Sequence, residues 1–148
     1  MSTFRFRLEK VQEWQRLQRE LLESRIKQLL RSLQHTDSAI AQLKAARVVA
    51  DEELLTSETI GGQFLSALSA YRARLRNQQR NLLQTRQQYE KQLEEQRGLW
   101  ADKERRCRLM DKLESRQRAG FQYQADRELE NFASEAYLGR WQSRRRDR

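Results

Sequence analysis

Apolar residues recur along this chain with a period of seven. Leu22, Leu29, Thr36, Leu43 and Ala50 form one series, and Ile26, Leu33, Ile40, Arg47 and Leu54 form a second, offset by four. Together they mark the a and d positions of a heptad, the seam along which two helices pack. Upstream, Leu8, Val11, Trp14, Leu17 and Leu21 extend an apolar stripe, with a register shift expected near residues 15–19. The second half repeats the pattern. Leu68, Leu75, Leu82 and Tyr89 are spaced by seven, Leu65, Leu93, Trp100 and Cys107 fall in the companion series, and Leu109, Met110 and Leu113 continue the stripe. Arg72, Gln79, Arg86, Gln96 and Lys103 are the polar members of this seam. Long stems at such positions can lie along the seam while their heads reach water. No useful stretch alternates with period two, so strands are not expected.

Between the halves runs Thr56-Ser57-Glu58-Thr59-Ile60-Gly61-Gly62, which holds the only adjacent glycines. Such a run stops one helix and lets the chain reverse. The pattern therefore predicts an all-α fold: a long antiparallel two-helix coiled-coil hairpin forming one domain over residues 1–148. Helix 1 is expected over about 4–57, the turn over 58–62, helix 2 over about 63–138 and a basic tail over 139–148. At 1.5 Å per residue the helices would be about 80 Å and about 110 Å long. Neither is stable alone, so each needs the other. With the turn near residue 60, residue 8 would lie opposite about residue 112, and helix 2 would run past helix 1 by roughly two dozen residues, about 35 Å. The open end would carry Phe4, Phe6, Phe121, Tyr123, Leu129, Phe132, Tyr137 and Trp141. Glu23–Lys27, Asp102–Arg106, Glu104–Arg108 and Glu114–Arg118 are i,i+4 pairs with the acid first, the better orientation on a helix. Gly98 and Gly120 lie within helix 2, as bends or as places where a partner comes close.

Composition sharpens the picture. Proline is absent, 34% of residues are charged and 37% hydrophobic, with a mean hydropathy of −1.04. That supplies a narrow seam and not a thick core. The net charge of +9 admits acidic partners without choosing among nucleic acid, an anionic surface and an acidic protein. Much of the excess is terminal, in Arg140, Arg144, Arg145, Arg146 and Arg148. The bases elsewhere are interleaved with acids, and the aromatics do not form a stacking row, so nucleic acid is not the expected partner. Charges interrupt the first ten residues, and no apolar window suits a signal peptide or a membrane span. A cytoplasmic protein is expected.

No constellation for catalysis emerges. His35 is the only histidine, so no histidine pair can hold a metal, and Cys107 is the only cysteine, placed on the seam as a small apolar residue. The paired glycines lack the remaining residues of a phosphate loop. The expectation is a non-enzymatic binding protein with no cofactor and no metal.

The opening Phe4-Arg5-Phe6-Arg7-Leu8-Glu9-Lys10-Val11 resembles the F-x-F-R-L-E-K/R-V-L start of bacterial FliJ proteins, soluble stalks of the flagellar type III export apparatus. Tyr71-Arg72-x-x-Leu75 after the turn, the run over 105–113 and Asp126-Arg127-Glu128-Leu129-Glu130 are also similar to that family, whereas Trp14-Gln15-Arg16-Leu17 departs from its usual continuation. Injectisome counterparts share the shape. The resemblance implies a stalk that binds a hexameric, FliI-like export ATPase, promotes its ring assembly and turnover, contacts the cytoplasmic domain of a FlhA-like export gate, and binds export chaperones. It implies a cytoplasmic protein held peripherally at the inner face of the cell membrane, serving flagellum biogenesis and motility. On this resemblance the ATPase-facing residues are Phe4, Arg5, Phe6, Arg7, Leu8, Val11, Leu129, Phe132 and Tyr137. The gate-facing residues are Leu43, Arg47, Ala50, Leu54, Phe64, Leu68, Tyr71 and Leu75. The alternatives are an export chaperone that does not activate an ATPase, and a basic coiled coil that binds nucleic acid.

Overall fold

The computed structural model describes residues 3–56 and 61–146, and the side chains of all of these except residue 146. The fold is an all-α antiparallel hairpin of two helices, α1 (Glu9–Thr56) and the longer α2 (Gly62–Arg146). No strand occurs among the described residues. Tertiary contacts divide the chain into two compact units, Met1–Gln18 with Lys103–Arg148, and Arg19–Asp102.

In the second unit the heptad positions behave as their spacing predicts. On α1, Leu22, Ile26, Leu29, Leu33, Leu43 and Leu54 are half-buried and Ile40 and Ala50 buried; on α2, Leu75 and Leu93 are buried and Leu68, Leu82, Tyr89 and Trp100 half-buried. Thr36 occupies a buried seam position by returning its hydroxyl to the Ser32 carbonyl, 2.8 Å away, so no polar group is left unmet. Arg47 and Leu65, assigned to the seam by period, are exposed.

Two arginines and a tryptophan of the α2 seam reach across to acids on α1. Arg72 binds Asp51, Arg86 Nε donates to Asp37 Oδ1 at 2.7 Å, and Trp100 Nε1 donates to Glu23 Oε1 at 3.1 Å. In each pair the two residue numbers add to 123, so one constant antiparallel register holds. The hydrogen bond to Asp37, then the charges of Asp37 and Glu90, hold the Arg86 guanidinium above its ordinary value, against a smaller opposing effect of burial. Glu23, expected to pair with Lys27, spends its carboxylate on Trp100. The Glu104–Arg108 and Glu114–Arg118 pairs form as expected, at 2.9 and 2.8 Å.

Three boundaries differ from expectation. α1 begins at Glu9 and not near residue 4. Phe4 and Phe6 precede it in a non-helical segment; Phe6 is buried, Phe4 half-buried, and Arg5 and Arg7 exposed. α2 starts one residue early, with Gly61 as its cap: the Gly61 carbonyl accepts the Leu65 amide at 3.2 Å. Neither Gly61 nor Gly62 has positive φ. The rest of the expected turn, 58–60, lies outside the described residues. α2 also continues through the expected basic tail to Arg146. Gly139 alone costs only about 1 kcal/mol against alanine, and arginines suit a helix C-terminus. Arg145 stacks on Trp141 one turn back, 4.1 Å from the ring centre. Gly98 and Gly120 have open space where a side chain would be, so neither is needed for packing within this chain.

Two outcomes test this seam. Leu75→Asp places a charge on a buried position and should abolish cooperative helical melting, since Leu75→Ala alone should cost about 2–4 kcal/mol. Arg86→Leu should raise the melting temperature by circular dichroism, because a leucine packs in the seam while the Asp37 pair it replaces is half-exposed and weak.

Candidate interaction surfaces

In the first unit the seam turns polar. Gln12 is buried and donates both amide hydrogens, to Asp111 Oδ1 at 2.7 Å and Glu114 Oε2 at 3.0 Å. Asp111 also takes Arg16 at 2.9 Å, and Glu114 takes Arg118 at 2.8 Å. The Arg118 guanidinium lies 5.6 Å from the Phe4 ring centre. Phe4 in turn packs on Phe121 with centroids 5.8 Å apart and planes tilted by 52°, an arrangement in the attractive range for aromatic pairs. Gln12 and Asp111 keep the sum of 123, so residue 8 faces about residue 115, three beyond the expected 112. Cys107, at 1% exposure, is the most deeply buried side chain among the described residues.

The expected register shift near 15–19 does not occur, and the upstream apolar stripe is not the seam. Gln12, Gln15, Gln18 and Arg19 hold the inward positions. Leu8, Val11, Trp14 and Leu17 are spaced by three, and each step of three falls about 60° short of a full turn. The row therefore winds away from α2, and its exposure climbs in order, from 39% through 46% and 51% to 58%. Lys103 anchors one member, with its ammonium 4.8 Å from the Trp14 ring centre and 3.3 Å from Gln15 Oε1.

Beyond the Phe4–Phe121 contact, α2 runs on through residues 122–146, and apart from half-buried Ala125 its described side chains are exposed. Leu129, Phe132 and Tyr137 project here, as do Tyr123, Leu138 and Trp141. The residues expected to face an ATPase thus fall into two groups. Leu129, Phe132, Tyr137, Arg5, Arg7, Leu8 and Val11 are accessible. Phe4 is half-buried and Phe6 is 6% exposed, so Phe6 fastens the N-terminal segment and offers no surface. The sequence signal for this is short: aromatics at 4 and 6 alternating with arginines at 5 and 7, a period-two pattern too brief to read as a strand.

In the second unit, Leu43, Tyr71 and Leu75 come together in an open groove of about 710 Å³, where Ala39 and Ala46 leave room beside Leu82, and Arg74, Gln42, Gln78 and Asn81 supply a polar border. These three are the gate-facing residues that the structure brings together. Ala50 is buried and Leu54 and Leu68 are half-buried in the seam, so they hold the helices together. Arg47 lines a smaller cavity of about 190 Å³ with Asp51, Arg72 and Arg76, and Phe64 is exposed near the start of α2. Among the described residues no cluster of His, Cys, Asp and Glu could hold a metal, and no helix is long and apolar enough to cross a membrane.

Phe6→Ala should cost about 3 kcal/mol of local stability, read as faster amide exchange over residues 4–12. Phe132→Ala should leave exchange over residues 4–12 unchanged.

Compared with models of known protein families, with characterised proteins and with solved structures, the chain matches none.

Proposed function

We propose that this chain is the soluble stalk of a flagellar type III protein export apparatus, a protein that catalyses nothing itself and acts on the active site of another. It binds a hexameric export ATPase through its open end, promotes ring assembly and turnover, and touches the cytoplasmic part of the export gate. Export chaperones are further partners, and these contacts hold it at the inner face of the cell membrane.

One observation carries this reading. The octet that resembles the start of FliJ proteins is seated where α2 begins to run unaccompanied, with Phe4 on Phe121. Arg5, Arg7, Leu8 and Val11 are thereby displayed beside a free helical length bearing Leu129, Phe132 and Tyr137. A ligand for a ring lumen has to be thin, helical and held in one register, with apolar anchors set among charges. The groove of Leu43, Tyr71 and Leu75 is the corresponding candidate for the gate.

Mixing the protein with its cognate export ATPase should raise phosphate release and increase the ring population seen by electron microscopy. Phe132→Ala should weaken the half-maximal concentration about tenfold with helicity unchanged. No change in turnover or ring formation, under conditions where the ring can form, overturns the proposal. Binding of chaperone-held substrates with unaltered turnover would make the protein an escort instead.

A further inference from the structure

The free length of α2 changes its pattern where α1 leaves it. Up to Phe121 the α1-facing series is Leu93, Trp100, Cys107, Glu114 and Phe121; continued by sevens it reaches Glu128 and Glu135, and its companion series reaches Gln124 and Asn131. Those positions are polar and could not extend the seam. A new apolar row opens instead at Ala125, Leu129, Phe132 and Ala136, with the 4-3-4 spacing of a fresh a/d face. Leu129, Phe132 and Ala136 are exposed, Phe132 at 72%.

Charge along this length is segregated. Asp126, Glu128, Glu130 and Glu135 occupy its first half with only Arg127 among them, and Arg140, Arg144, Arg145 and Arg146 occupy its end. A parallel neighbour of the same sequence would set acid against acid and base against base. An antiparallel one sets acid against base.

We propose that the free length of α2 pairs antiparallel with the same length of a second copy of this chain. With Phe132 placed opposite Ala136, Leu129 meets Gly139 and Ala125 meets Ser143, so large residues face small ones. Gly139 has open space on its side-chain side to receive the leucine. The flanking positions then bring Asp126 of each copy beside Arg140 of the other, two equivalent ion pairs about a two-fold axis. Glu135 meets its own counterpart across that axis, the one unfavourable contact of the arrangement. The paired stretch begins beyond Phe121, so the second copy does not compete with α1 for α2. Leu129 and Phe132 are also residues assigned above to the ATPase, so pairing and ring engagement exclude one another; this last consequence alone rests on the stalk role.

The test uses the full chain by itself, so its failure is separate from any failure to activate an ATPase. Sedimentation equilibrium over a concentration series should give a reversible monomer–dimer equilibrium that weakens with added salt. Arg140→Glu should raise the dimer dissociation constant about tenfold, the swap Asp126→Arg with Arg140→Asp should restore it, and Glu135→Gln should lower it. Ala125→Cys mixed with Ser143→Cys should form a disulfide-linked heterodimer, with Cys107 buried away from the paired face. A monomer at every concentration, a dissociation constant indifferent to these charges, a swap that fails to restore it, or Ala125→Cys linking preferentially to itself overturns the proposal.

Discussion

The two arms are held in one register by polar groups that cross an otherwise sliding seam. Rows of leucine repeat every seven residues, so displacement by one heptad would still set apolar against apolar. It would not satisfy the acids. Asp51, Asp37 and Glu23 are spaced by 14 on α1, and their partners Arg72, Arg86 and Trp100 are spaced by 14 on α2. A slip of seven would set Asp51 against Leu65 or Gln79, and Asp37 against Gln79 or Leu93. Polar seam residues thus give up packing and gain alignment, the use to which coiled coils put such positions. The half-exposed pairs add little stability in themselves.

The open end is organised by contacts of its own. Within the first unit Phe4 packs on Phe121, and beyond that contact α2 has its remaining length to itself. The first unit meets this with a network running from Arg16 through Asp111, Gln12 and Glu114 to Arg118 and the Phe4 ring. An apolar seam would hold the arms more tightly but would specify their ending less sharply. Apolar residues displaced from the seam here are presented outward instead, in the winding row from Leu8 to Leu17 and on the free length of α2. This end of the molecule therefore has modest internal cohesion and abundant accessible apolar surface, which suits a surface meant to meet other proteins.

The surfaces differ in kind. The groove of Leu43, Tyr71 and Leu75 is made where alanines let two paired helices leave a channel between larger neighbours, so its shape is set by packing already in place. The free length of α2 is a single helix face whose apolar row is left without a neighbour in this chain. Its acidic and basic halves make it self-complementary in the antiparallel sense. The same residues are the ones the stalk role assigns to an ATPase ring.

The sequence by itself determined the fold class, the division into two helices, most of the seam of α1 from Leu22 to Leu54 and the excess length of α2. These follow from heptad spacing, a Gly-Gly break and the absence of proline, all local in the chain. The cross-seam acids were visible as residue types, and their common spacing of 14 was a signal that could have fixed the register. Which acid meets which arginine was decided by the tertiary structure, because it depends on how far the arms slide before they lock. The same holds for Phe6, which is buried although it precedes α1, and for Leu8 to Leu17, whose spacing of three reads as a stripe although it winds off the seam. A period gives the face of one helix. What that face meets is settled only by packing against a second.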